Sequence, residues 1–254
     1  MTLNQILLIL LFALTALVYA MAGFGGGSTY SALLVLNGAD HRIIPLVALI
    51  CNLIVVSGGV FHHVRAGNLK TGLILPFALT SVPMALVGGS LAVSEQVFRL
   101  VLGTALVLGG LMMLKPIAGD RDRGRQPENR VDWRIATPIG AVLGLLAGVT
   151  GIGGGIYLAP VMHLAGWAES RVVAATTSAF ILVNSLAALA GHLGKWPETA
   201  QAGLTVFLWL PLAVFLGGQV GSILGVGRYG DRLVRVITMV LVFYVGIRLL
   251  LEGS

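Results

Sequence analysis

Leu146-Ala147-Gly148-Val149-Thr150-Gly151-Ile152-Gly153-Gly154-Gly155-Ile156-Tyr157-Leu158-Ala159-Pro160 is an apolar stretch interrupted by four glycines in five positions. A degenerate copy, Ala22-Gly23-Phe24-Gly25-Gly26-Gly27-Ser28, stands 128 residues earlier. Glycine reaches φ > 0 and lets backbone amides approach a ligand closely. The spacing predicts two helices, each broken at its glycines, with a second helix starting just after each break. In a bilayer such irregular backbone is tolerated only where protein or a water-filled cavity surrounds it. One cluster would fit tight Gly-xxx-Gly helix packing equally well. Two at matching positions favour a built site.

The match extends outward. Asn52 pairs with Asn184, Gly59 with Gly191, and Gly89-Ser90 with Gly221-Ser222, all 132 apart. Arg99 pairs with Arg235 and Gly110 with Gly246, 136 apart. The offset grows only across connecting segments, where insertions are tolerated. The chain is therefore expected to be one transmembrane domain, 1–254. Repeat one is 1–117, a polar linker runs over 118–133, and repeat two is 134–254.

Apolar runs fall at 3–22, 43–64, 71–93, 98–117, 135–149, 172–193, 201–226 and 233–251, most with the ~20 residues a bilayer crossing needs. Run 135–149 is expected to be short, and 28–37 and 156–166 shorter still. Ala20-Met21-Ala22 resembles a leader cleavage site, but Met1 to Gln5 carries no Lys or Arg and the repeat makes the first run a structural element.

The composition fits this reading. Hydrophobic residues make up 57% of the 254 and charged ones 10%, against about 25% charged in a soluble domain. That is too few to cover a water-soluble enzyme. All ten acids lie outside the long apolar runs. The net charge of +6 sits in short connecting segments, which argues for positive-inside bias rather than nucleic-acid binding.

Suppose each half is a re-entrant hairpin followed by three crossings. One side then holds twelve of the sixteen basic residues: Arg65, Lys70, Lys115, Arg121, Arg123, Arg125, Arg130, Arg134, Arg171, Arg228, Arg232 and Arg235. The other holds Arg42, Arg99, Lys195 and Arg248. Crossing once through each broken segment gives ten to six. The larger bias fits the positive-inside rule better, though a hairpin that crosses twice gives the same charge count. Three crossings per half invert the second half relative to the first. The expected fold is an all-α polytopic membrane protein of two inverted repeats, with a cytoplasmic linker and both termini outside.

No Asp, Glu, Lys or Arg occupies an expected midplane position. Intramembrane proteolysis and carboxylate-driven proton pumping both lose their usual groups, so the chain is not expected to be an enzyme. Cys51 is the single cysteine, which removes an intrachain disulfide and a Cys-based metal site. No cofactor or metal is expected. Helix starts after the two breaks would direct free N–H groups at one place and suit an anion without a formal positive charge. The candidate substrate-binding residues are Gly25, Gly26, Gly27, Ser28, Thr29, Asn52, Thr150, Gly153, Gly154, Gly155, Thr177 and Asn184. Asn52 and Asn184 read either as paired donors to an oxyanion or as interhelical bonds. His62, His63, His163 and His192 lie toward run ends and read as interfacial packing or as a proton-responsive gate.

At these residues the chain resembles the TauE/SafE family of sulfite and organosulfonate exporters. The resemblance rests on 146–160, its first copy 22–28, Ala175-Thr176-Thr177-Ser178, and the segment from Gly230-Asp231-Arg232 to Gly246-Ile247-Arg248. Ala32 departs from the pattern, standing where the second copy has Pro160. The resemblance implies a small multi-pass permease of the bacterial inner membrane. It would move sulfite or short organosulfonates, with a small anion and the lipid bilayer as partners and no nucleic acid. A channel-like anion pore and a non-transporting scaffold are the competing readings; a scaffold has no need of paired breaks.

Overall fold

The computed structural model describes residues 3–22, 25–114, 131–195, 208–224 and 230–252. Gly23, Phe24, the linker up to residue 130 and the start of the seventh apolar run (201–207) lie outside the described residues. The described chain is helical: α1 Leu3–Ala22, α2 Gly27–Leu36, α3 Ile44–Arg65, α4 Thr71–Ser90, α5 Glu95–Leu114, α6 Trp133–Thr150, α7 Gly155–Leu164, α8 Ser170–His192, α9 Trp209–Leu224 and α10 Gly230–Glu252. A short 3₁₀ turn, Leu193–Lys195, extends α8.

Among the described residues six helices are long and apolar enough to cross a membrane: α1, α3, α4, α5, α6 and α8. Helix α6 is longer than the apolar run 135–149 suggested. It gains its first turn from Asp132, whose carboxylate accepts a hydrogen bond from the Arg134 amide at 2.9 Å, an N-cap that apolar periodicity does not reveal. At 18 residues it is roughly 27 Å long. Helices α2 and α7 have ten residues each, about 15 Å, half a bilayer.

The two short helices stop in the same way. Gly38 (φ +70°) and Gly166 (φ +65°) are left-handed. The Ala39 amide donates to Leu34 at 3.0 Å and the Trp167 amide to Met162 at 3.2 Å. These are Schellman caps, and every matched position is 128 apart, the offset of the glycine breaks.

Each long helix carries one apolar stripe inward and another outward. On α1, Leu8, Phe12 and Ala16 are buried while Leu3, Leu7, Leu10 and Leu14 are exposed. On α5, Phe98, Leu102 and Ala105 are buried while Val97, Leu100, Leu108 and Leu111 are exposed. Exposed leucines at helical spacing suit acyl chains as solvent.

The packing pairs survive exchange of the two halves. Helix α4 packs on α6 and α8, and α9 packs on α1 and α3. Helices α3 and α8 pack together, as do α5 and α10. Helix α2 lies on α3 and α10, and α7 on α8 and α5. Swapping α1–α5 for α6–α10 leaves these pairs unchanged. Glycines make the tightest of them. A β-carbon on Gly140 would sit 2.5 Å from the Phe77 carbonyl oxygen, and one on Gly144 or Gly148 would strike the Ser81 or Ala85 carbonyl. Gly217 and Gly221 meet the Ala13 and Leu17 carbonyls on α1 in the same manner. Backbones this close maximise dispersion where no hydrophobic force joins helices.

Candidate functional site

The second break is built by consecutive left-handed turns. Helix α6 ends at Thr150, whose hydroxyl donates back to the Leu146 carbonyl at 2.6 Å. Gly151 (φ +76°) caps it, its amide donating to Ala147 at 2.9 Å. Gly153 (φ +77°) and Gly154 (φ +74°) then turn the chain into α7, whose first full turn closes on the Gly154 carbonyl. Side chains other than glycine pay heavily for this conformation. The first break differs. Gly26 caps α2 at φ −92°, a conformation open to any residue. Its glycines answer to space instead.

Both breaks converge on Asn52, ninth of the 22 residues of α3 and fully buried. The Asn52 Nδ2 donates to the Gly151 carbonyl at 3.2 Å. A β-carbon on Gly25 would sit 2.6 Å from Asn52 Oδ1, and one on Gly153 would sit 2.9 Å from Nδ2. A β-carbon on Gly27 would collide with that same Nδ2 and stand 2.6 Å from the Ile152 carbonyl oxygen. The backbones of the two breaks are thus in contact, with one amide wedged between them. Ser31 of α2 adds a 3.4 Å hydrogen bond to the Thr150 carbonyl.

The remaining sequence-derived candidates lie on the breaks themselves, on α2 or on α8. Gly155 abuts Ile181 and the methyl group of Thr177. Gly154 faces the Phe180 ring, and Gly26 the Tyr30 ring. Ser28 and Thr29 are buried in the first turn of α2, and the Thr29 hydroxyl shares a 2.9 Å hydrogen bond with that of Tyr19. Asn184 is buried on α8, but its Nδ2 donates to the Phe180 carbonyl of its own helix at 2.8 Å. The two asparagines therefore bond differently: Asn52 reaches across to a break and Asn184 turns back. Each amide retains a second N–H.

Seven buried polar atoms have no hydrogen-bond partner among the described residues: Tyr30 Oη, Asn52 Oδ1, Ser81 Oγ, Thr176 Oγ1, Thr177 Oγ1, Asn184 Oδ1 and Ser185 Oγ. Buried polar groups are normally paired, so each unpaired one asks for water or a ligand. Five of them come from α3 and α8. Tyr30 and Ser185 escaped sequence reasoning. Ser185 lies 3.6 Å from the β-carbon position of Gly153. The only signal for Tyr30 was its place four residues after Gly26, one helical turn.

Among the described residues the buried polar set contains no Asp, Glu, Lys or Arg; besides hydroxyls and amides it holds only His192. The His192 Nε2 lies 3.0 Å from the Gly148 carbonyl at the far end of α8. Among the described residues no three His, Cys, Asp or Glu side chains form a group that could hold a metal ion. What faces the breaks is partial charge. The first amides of α2 and α7 have no carbonyl in their own helices to bond, and each helix presents its positive dipole end there.

Over residues 8–249 the chain matches the family described as sulfite exporter TauE/SafE. It is 34% identical over 240 residues to the probable membrane transporter protein y4hK of Sinorhizobium fredii (strain NBRC 101917 / NGR234), covering 94% of this chain and 95% of that protein. No solved structure matches it significantly.

Proposed function

The chain belongs to the sulfite exporter TauE/SafE family of multi-pass membrane transporters, and from that premise we propose that it is a permease for small anionic sulfur compounds such as sulfite or short organosulfonates. The anion is held between the two glycine breaks and the direction is export. The observation that carries this is the convergence of both breaks on Asn52, whose Oδ1 is unpaired, with Ser185 and Thr177, also unpaired, at the Gly153 and Gly155 positions and no Asp, Glu, Lys or Arg in the buried polar set of the described residues. The two halves are inverted repeats, each a re-entrant hairpin (α1–α2, α6–α7) followed by three crossings. The exchangeable packing pairs and the twelve-to-four charge bias both support that arrangement.

A site of this kind holds its anion weakly. Two partly buried helix starts contribute up to ~2 kcal/mol each, and a few neutral hydrogen bonds add roughly 0.5–1.5 kcal/mol each. Loss of translational freedom and dehydration of the anion offset much of that sum. A net of about 4 kcal/mol corresponds to roughly millimolar dissociation. Weak binding suits rapid release and export of an abundant metabolic product, and it does not suit scavenging. The test is sulfite efflux from liposomes containing the purified protein, beside Gly26→Val and Gly154→Val. Loss of efflux with normal membrane insertion is expected for both. Normal efflux by both refutes the site, and a nanomolar dissociation constant for wild type refutes the mechanism of holding.

A further inference from the structure

The unpaired atoms at the first break are of two opposite kinds. Tyr30 Oη is a phenol, able to donate. It is fully buried and has no hydrogen-bond partner among the described residues, and the ring carbon that bears it lies 2.8 Å from the β-carbon position of Gly26. Asn52 Oδ1 can only accept. It too is fully buried and unpartnered, and it lies 2.6 Å from the β-carbon position of Gly25, the next residue along. The start of α2 supplies further donors through its unbonded amides. The site therefore offers several donors and at least one acceptor, and among the described residues no buried Lys or Arg serves it.

A dianion such as fully ionised sulfite satisfies the donors but not the acceptor. It would bring two unpaired lone-pair groups together at Asn52 and place two negative charges in a site with only dipoles to neutralise them. A buried acceptor left unpaired beside an anion is costly. A singly charged oxyanion that still carries its proton satisfies both kinds of group: its bare oxygens take the amides and the phenol, and its O–H donates to Asn52 Oδ1. Resting on the permease reading above, we propose that this transporter takes the protonated monoanion of its oxyanion substrate and rejects the dianion, with Tyr30 as a donor and Asn52 as the acceptor that reads the proton.

The two breaks divide this work unequally. Leu158 occupies the position matching Tyr30, and Tyr157 of α7 is spent on the Ala105 carbonyl. The discriminating groups thus lie on the first break. The titratable side chains on the elements around it are Tyr30 of α2 itself, Tyr19 of α1, paired with Thr29, and, on α3, Cys51 with His62, His63 and Arg65 in the last turn, ten or more residues beyond Asn52 and thus about 15 Å or more along the helix. The described part of α10 brings Tyr244, Arg248 and Glu252, all exposed. On α8, His192 lies seven residues beyond Ser185, about 10 Å along the helix. A pH response rooted in the ligand can therefore be separated from one rooted in the protein.

The experiment measures binding to the detergent-purified protein and uptake into proteoliposomes across pH, with sodium sulfite, sodium sulfate and sodium methanesulfonate as probes. Sulfite gains its second charge within the accessible pH range; sulfate is a dianion throughout, and methanesulfonate a monoanion without an O–H. Expected are a sulfite affinity that falls about tenfold per pH unit above its second ionisation, sulfate binding at least about a hundredfold weaker, and methanesulfonate binding that does not vary with pH. Tyr30→Phe, which removes one oxygen and no packing, should weaken sulfite about threefold to tenfold and keep the pH slope. His192→Gln should also keep the slope. Sulfite binding that stays equally tight at high pH, or sulfate binding as tight as sulfite, overturns this inference and leaves the permease reading standing. A slope that vanishes in His192→Gln overturns it as well, since the proton would then be the protein's. Failure of wild type to bind or move any of the three probes removes the permease reading and this inference together.

Discussion

Gly27→Ala sets two physical effects against each other. Gly27 has helical backbone at the first position of α2, so alanine is permitted there and gains at most about 1 kcal/mol of helix propensity. The added methyl group would stand 2.6 Å from the Ile152 carbonyl oxygen and collide with the Asn52 amide. Ordinary contact begins at 3.4 Å, so the two breaks must part by about 0.8 Å (3.4 less 2.6), or Asn52 must swing away. The first route is overpacking against backbone and costs roughly 1–3 kcal/mol. The second gives up the 3.2 Å bond to Gly151 and leaves a buried amide unpaired, about 1–3 kcal/mol. Net destabilisation of roughly 1–2 kcal/mol is expected, with sulfite flux falling at least tenfold because the site itself opens. Gly58→Ala is the control. It is also helical, and nothing lies within 4 Å of its β-carbon position, so it should be neutral or mildly stabilising with full flux. Thermal unfolding in detergent and flux in liposomes are measured side by side. If Gly27→Ala matches Gly58→Ala in both, the breaks do not bear on each other and the site is misplaced.

Three further outcomes are expected. Gly154→Ala should cost about 1–2 kcal/mol from the left-handed backbone alone, with a 2.9 Å approach to Phe180 added; an unchanged melting temperature refutes the turn geometry. Because Cys51 is the single cysteine and is buried, a Cys51→Ala background permits labelling of introduced cysteines: Asp122→Cys should react with an impermeant maleimide only from the cytoplasmic side and Lys195→Cys only from the opposite side, and the reverse pattern overturns the topology. The Arg42 guanidinium bonds both carboxylate oxygens of Asp40 at 2.7–3.3 Å and, with burial opposing, holds that carboxyl down to about 2. A depressed acid stabilises the fold above its unfolded value near 4 and loses that contribution as pH falls toward 2. Asp40→Asn should therefore remove a small acid-side loss of stability, under about 1 kcal/mol for so exposed a pair, seen as converging melting temperatures at low pH.

The glycine breaks, the short helices that follow them and the mid-helix asparagines were legible in sequence because each signal is local or doubled. Left-handed turns need glycine whatever packs around them, and duplication separated the meaningful clusters from glycines scattered for packing. The matching Schellman caps at Gly38 and Gly166 obey the same offset and could have been read too. Three features were not legible. The Asp132 cap lengthens α6 through one side-chain hydrogen bond. The different bonding of Asn52 and Asn184 depends on which carbonyl each meets in three dimensions, and equal sequence positions do not determine that. Tyr30 looks like an ordinary aromatic of a buried helix, and only the absence of a partner for its hydroxyl among the described residues distinguishes it.

The glycines of this chain do two jobs that substitution can tell apart. Those of the α4–α6–α8 and α1–α9 contacts, such as Gly144, Gly148, Gly191 and Gly217, press one helix backbone on another's carbonyls. None has positive φ, and none touches Asn52. They set the distance between helices, so they fix where α6 and α1 end and thus where the breaks are delivered. The break glycines determine what happens once the backbones arrive: Gly151, Gly153 and Gly154 turn the chain, and Gly25 and Gly27 leave room for the Asn52 amide. A methyl group in the first set should lower stability and flux together and leave preference among anions unchanged, because every site group moves as a body. A methyl group at Gly25, directly against Asn52 Oδ1, should change preference out of proportion to stability. On the proposed reading the packing stripe is the frame and the breaks are the reader: the frame would keep the neutral donors converged on an anion without a lysine or arginine to gather them.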